Sequence, residues 1–187
     1  MSMFRTDLKP IVAAAIGLVM YSMPLAADGD RMDELFDRLQ RADDSRDAAQ
    51  IEQEIQMEWR KSGSPAMDLL HKRGRDALER RDFDAAIEHF GALIDHAPDY
   101  AEGWHGRARA FFAKGHHGLA VADLERALAL DPRQYEALFG LGVILEQLDR
   151  PGPAYDAFGL VLQLHPHHER AAAAIKRLDR GVNGVEL

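Results

Sequence analysis

Pro98, Pro132 and Pro166 stand 34 residues apart in a chain of 187. A period of that length ties the fold to one supersecondary unit, copied and stacked. The period is not confined to proline. Gly74, Ala108 and Gly142 recur in the same register, as do Ala86, Ala120 and Ala154. Phe90, Leu124 and Phe158 form a large apolar set, Leu93, Ala127 and Val161 a second, and Leu70, Trp104 and Leu138 a third.

Each set has a physical reason. Apolar residues three and four apart make one face of a helix. Small residues belong where two helix backbones approach, because a larger side chain there would overpack. Large apolar residues fill the space between successive helices. The proline ends the second helix of each unit: it cannot extend the hydrogen-bond ladder, and it restricts the residue before it. Met67 to Pro166 thus reads as three tandem helix-turn-helix repeats. Composition agrees with an all-α fold. No threonine occurs beyond Thr6, and helix formers outnumber residues that suit a pleated sheet.

Composition also removes classes of function. The chain has no cysteine, so it holds no disulfide, zinc-thiolate site, lipid-modified cysteine or cysteine nucleophile. A net charge of −8 argues against a nucleic-acid partner. Beyond the N-terminal segment the only serines are Ser45, Ser62 and Ser64, all in turn-like contexts, and no glycine-rich phosphate loop is present. No cofactor is expected.

The repeated unit resembles the tetratricopeptide repeat (TPR), whose motif runs W-x2-L-G-x2-Y, then A, F, A and P. Repeat 1 starts near Met67, repeat 2 at Ala101 and repeat 3 at Tyr135. Trp104, Ala108, Phe111, Ala120, Leu124, Ala127 and Pro132 match best. Arg73 and Arg107 depart from the pattern, which has leucine there; at the edge of an apolar stripe an arginine can snorkel. Pro151-Gly152-Pro153 gives the second helix of repeat 3 a stiff first turn. The resemblance implies a short α-solenoid with repeats at 66–98, 99–132 and 133–166.

The flanks read as helix too. Residues 28–65 carry Leu35, Phe36 and Leu39, then Ala48, Ile51, Ile55 and Trp59, at helical spacing. They form a hairpin joined near Asp43-Asp44-Ser45, placed before repeat 1 as a degenerate repeat or N-terminal cap. Ser64 is expected to N-cap the next helix with Pro65 at its first position. Asp99 and Glu102 look like a capping pair for repeat 2. Residues 167–187 hold a capping helix, with Ala172, Ile175 and Leu178, and a frayed tail from Gly181.

Residues 1–27 read as an address. Arg5 and Lys9 precede the apolar run Ile11 to Met23, and Ala26 and Ala27 follow. This pattern predicts a secretory signal peptide cleaved after Ala26 or Ala27, and so a periplasmic protein. Pro24 and Leu25 are poor residues for the third position before the cut. An uncleaved inner-membrane anchor is therefore the alternative, and the only route to a membrane contact.

In the TPR family, positions 2, 5, 9 and 12 of each first helix line a concave groove. Here they are Asp68, His71, Arg75 and Leu78; Glu102, His105, Arg109 and Phe112; and Glu136, Phe139, Val143 and Glu146. The histidines and arginines would form a basic strip in an acidic protein, with Phe112, Phe139, Val143 and Leu78 exposed beside it. Such a groove suits a protein or peptide with acidic and hydrophobic elements. The family's clamp for a C-terminal carboxylate does not carry over, because Gly106 and Gly140 stand at two of its places. The expected function is a non-enzymatic interaction scaffold. A metal-binding or hydrolytic enzyme is the rival, resting on His116-His117 and His165-Pro166-His167-His168, which lack a spaced ligand set.

Overall fold

The structure is a computed structural model that describes residues 28–182; the signal segment read at 1–27 and the tail beyond Val182 lie outside the described residues. Nine helices and no strand occur among the described residues. They are α1 (Asp28–Gln40), α2 (Ser45–Trp59), α3 (Pro65–Glu79), α4 (Phe83–His96), α5 (Ala101–Ala113), α6 (His117–Leu130), α7 (Tyr135–Gln147), α8 (Pro151–Leu164) and α9 (Glu169–Val182). The helix pairs α3/α4, α5/α6 and α7/α8 are the three repeats. Each proline follows directly on a helix C-cap, at Ala97, Asp131 and His165.

The repeated small residues are where large ones press on backbone. A Cβ on Gly74 would meet the Phe90 ring at 2.7 Å, and one on Gly106 would come closer still. Phe90 therefore lies between the first helices of repeats 1 and 2, with no exposed surface. Phe158 sits on Gly142 in the same way. Ala86, Ala120 and Ala154 are fully buried, as the register requires. Trp104 is half-buried, and its Nε1–H donates to the Pro98 carbonyl at 2.9 Å. Arg107 does more than snorkel: it makes two bonds, of 2.7 and 2.8 Å, to the buried Asp123 and lies against the Trp104 and Phe111 rings.

A second stripe decides how the array begins and ends. Positions 3, 6 and 10 of a first helix face the preceding repeat. In repeat 2 they are Gly103, Gly106 and Ala110, packed on Leu93, Ile94 and Phe90 of repeat 1. In repeat 3 they are Ala137, Gly140 and Ile144, and in α9 Ala171, Ala174 and Leu178. Repeat 1 has Leu69, Lys72 and Asp76 instead. Leu69 is 48% exposed, and Lys72 is tied to Asp76 at 2.7 Å. That face is a surface, as a terminal repeat needs.

The hairpin α1/α2 forms where the sequence places it, but it does not stack on repeat 1. Leu35, Phe36, Leu39, Ile51 and Ile55 share one core with Tyr135, Phe158 and Val161 of repeat 3 and with α9. Burying such side chains contributes roughly 1.5–3 kcal/mol each. Helix α2, 15 residues and so about 22 Å long, runs back along the proline turns. His167 Nε2–H donates to the Ala42 carbonyl at 2.9 Å, and His165 Nε2 is 3.7 Å from Glu52. At its other end Trp59 Nε1–H donates to Asp131 at 2.8 Å, and the Tyr100 hydroxyl donates to the Trp59 carbonyl at 2.7 Å. The hairpin thus touches the turns of repeats 3, 2 and 1 in that order.

The helix caps differ in detail from expectation. Asp44 caps α2 through the Arg46 and Asp47 N–H groups. Ser64 occupies the cap position of α3 before Pro65 but makes no side-chain bond; Ser62 instead donates to Asp68 through its N–H and its hydroxyl. Tyr100, not Asp99, is the cap residue of α5, and Glu102 turns elsewhere.

Candidate functional site

The first helices of the three repeats line a groove of about 730 Å³. Of the twelve groove positions read from the sequence, Arg75, Glu102, His105, Arg109, Phe112, Glu136, Phe139 and Val143 reach it. Four do not line it. Asp68 is held by Ser62, and Leu78 packs in the repeat 1 core. Glu146 pairs with Arg177 at 2.6 Å. His71 is 3% exposed, between the Phe90 and Tyr100 rings.

The basic strip is smaller than the sequence suggests. Glu102 takes up both histidines, with His71 Nε2 at 3.7 Å and His105 Nδ1 at 3.6 Å, and also accepts from the Gln134 amide. Burial works against its charge, but the two imidazoles more than offset this and hold the carboxyl well below the usual carboxylate range. Glu136 repeats the pattern one unit on. Burial opposes ionisation there too, and His168 at 3.6 Å with Arg170 at 3.0 Å lowers its pKa. Gln134 and His168 are themselves 34 residues apart, so each turn supplies a partner to the acid of the repeat before it.

Arg75 and Arg109 remain. Neither forms an ion pair with Glu79, Glu102 or any other acid among the described residues, and Arg75 Nε is buried without a hydrogen-bond partner. The apolar residues beside them are half-buried rather than bare. Phe112 stacks on His117 with ring centroids 5.7 Å apart. Phe139 packs on Phe158 and His168, with Arg170 4.3 Å above its ring.

One wall escaped the sequence reading. Glu52, Gln56 and Trp59 of α2 and its C-cap residue Arg60 also line the groove. The 34-residue register does not reach them, because α2 lies outside the repeats. Of the clustered histidines, His116 is exposed and His117 and His167 are half-buried. His165 and His168 are buried, stacked edge-on against Tyr135, and His168 Nδ1 accepts from the Ala171 N–H to cap α9. No group of three or more His, Asp or Glu placed to hold a metal ion occurs among the described residues. No helix among them is long and apolar enough to cross a membrane.

Comparison with known proteins agrees with this geometry. The tetratricopeptide repeat family model matches residues 71–122 and 105–169. A TPR repeat-containing protein of Rhizobium etli is 32% identical over 154 residues, covering 82% of this chain and 76% of that protein. The Arabidopsis OM64 TPR domain superposes with a TM-score of 0.61 at 25% identity, covering 63% of this chain and 97% of that domain. The Yersinia enterocolitica type III secretion chaperone SycD, solved with a peptide of the translocator YopD, shares the fold with a TM-score of 0.60 at 15% identity, over 63% of this chain and 95% of its own. The chain belongs to the tetratricopeptide repeat family, whose repeats build protein-binding scaffolds.

Proposed function

We propose that this protein is a non-enzymatic scaffold that holds a segment of a partner protein in the groove between its repeats and its N-terminal hairpin. One observation carries the reading. In a chain of net charge −8, the groove keeps two arginines without acidic partners beside half-buried Phe112, Phe139 and Val143. A protein or peptide with acidic and hydrophobic elements complements that lining. The Yersinia chaperone, with the same fold, was solved with a peptide. Immobilised Arg75→Glu/Arg109→Glu protein should capture no partner from an envelope extract while its helical circular dichroism stays unchanged. Undiminished capture would move the site away from the groove.

The place of action is part of the proposal. The basic start, the apolar run Ile11 to Met23 and the alanines at 26 and 27 support export to the periplasm with cleavage of the segment. Pro24 and Leu25 favour the second form, in which the segment stays as a membrane anchor. N-terminal sequencing separates the two: a chain starting at Ala27 or Asp28 means cleavage, and one starting at Met1 means an anchor.

A further inference from the structure

Two register positions, one repeat apart, do the same two jobs with different chemistry. Gln134 and His168 each stand just before a helix, α7 and α9, and each meets the acid of the repeat before it. The Gln134 amide oxygen accepts from the Ala137 N–H at 2.8 Å, and its amide nitrogen donates to Glu102. His168 Nδ1 accepts from the Ala171 N–H at 3.1 Å, and its Nε2 lies 3.6 Å from Glu136. Ala137 and Ala171 are both fully buried, so neither N–H has water as a substitute acceptor.

The two caps differ in what a proton does to them. An amide oxygen accepts in acid as it does at neutral pH. A neutral imidazole has one acceptor nitrogen, and an imidazolium has none. Because Nδ1 accepts here, the ring proton sits on Nε2, toward Glu136. A second proton goes to Nδ1, where it faces the Ala171 N–H and cancels the cap. Histidine is the side chain whose charge ordinarily changes between about pH 5 and about pH 8.

Charged and titratable groups face this imidazole from each element packed on it. Helix α7 presents Glu136, with the Tyr135 and Phe139 rings beside it. At the end of α8 the His165 ring stands 5.3 Å away, and its Nε2 faces Glu52 of α2 at 3.7 Å. In the turn and in α9, His167, Glu169 and Arg170 line the same cavity of about 290 Å³. Glu136 is already paired with Arg170 at 3.0 Å, so an imidazolium there adds to an existing pair and does not replace the lost cap. Arg170 is also the output. Its guanidinium lies 4.3 Å from the Phe139 ring, and Arg170, Glu136 and Phe139 all line the groove.

We propose that His168 is a pH-sensitive cap: protonation at Nδ1 undoes the first turn of α9, withdraws Arg170 from Glu136 and Phe139, and opens the α9 end of the groove, while Gln134 keeps α7 in place. The device is built into the fold and acts without a bound partner.

Amide hydrogen exchange on the full chain tests it residue by residue. Protection of Ala171, relative to an unstructured peptide at the same pH, should fall about fivefold between about pH 7.5 and about pH 5.5, the scale of one lost helix cap. Ala137, capped by Gln134, should keep its protection. His168→Gln should hold Ala171 protected at both pH values, and His168→Ala should leave it weakly protected at both. Unchanged protection of Ala171 in wild type would overturn the proposal. So would an equal fall in His168→Gln, which would assign the loss to another group, or a parallel fall at Ala137, which would mean that the whole array opens.

Discussion

The two ends of the array are finished in opposite ways. At repeat 1 the stripe that elsewhere receives a preceding repeat is Leu69, Lys72 and Asp76, and it is left to solvent. At repeat 3 the corresponding outward face is covered twice. Helix α9 presents Ala171, Ala174 and Leu178 to it, and the hairpin α1/α2 closes the adjoining edge around Tyr135. Sequence neighbours are thus not spatial neighbours. The hairpin precedes repeat 1 in the chain and packs on repeat 3, because that is where apolar surface remains unburied by repeats. The difference shows that three side chains of one stripe can direct where a whole supersecondary unit docks.

Truncation should separate the ends most sharply. Phe158→Ala, at the junction of repeat 3, α9 and the hairpin, should cost about 3–5 kcal/mol in chemical denaturation. Leu69→Ala at the bare end should stay within about 0.5 kcal/mol. Equal losses would mean that the bare face is covered in solution. Overpacking gives the next largest contrast, at one register position. Ala174→Leu should destabilise by about 1–3 kcal/mol, while Lys72→Leu should change stability by less than about 0.5 kcal/mol.

Acid should weaken the buried interior of the groove. Glu102 and Glu136 have lower pKa values folded than their ordinary value of 4.5, so the unfolded chain takes up protons first as pH falls. Their stabilisation is full above about pH 4.5 and is lost progressively below it. Glu102→Gln should flatten the fall in melting temperature between pH 5 and pH 3, each taken as an approximate bound of that window. A slope identical to wild type would show that Glu102 is not ionised by its histidines. The smallest effect concerns the strap. Trp59→Phe keeps the ring against Phe36 and Tyr135 but loses the bond to Asp131, for about 1 kcal/mol.

Much of the fold is legible in the sequence. The 34-residue period placed the six repeat helices, and helical spacing found both hairpin helices and the cap. Eight of twelve groove positions reach the groove because the register carried them onto one face. The others left it for partners that periodicity does not encode. His71 turns in beneath Tyr100, Leu78 joins the core, and Asp68 and Glu146 find Ser62 and Arg177. The hairpin's location was hidden for a different reason. Its apolar faces specify that they must be covered, and not by what. The polar stripe of repeat 1 was in the sequence and excluded the nearest candidate, but only a comparison of positions 3, 6 and 10 across repeats exposes it.

The central claim is that the hairpin packs on repeat 3 and from there spans the proline edge. Because the chain has no cysteine, a pair of introduced ones can carry spin labels without background. Gln40→Cys with Gln163→Cys places one label on each side of the α1 and α8 contact, where the Gln40 amide meets the Gln163 carbonyl at 3.4 Å. A short inter-label distance for this pair, with a much longer one for Gln40→Cys and Leu69→Cys, is the predicted result. A short distance to residue 69 and a long one to residue 163 would put the hairpin on repeat 1 and contradict the account.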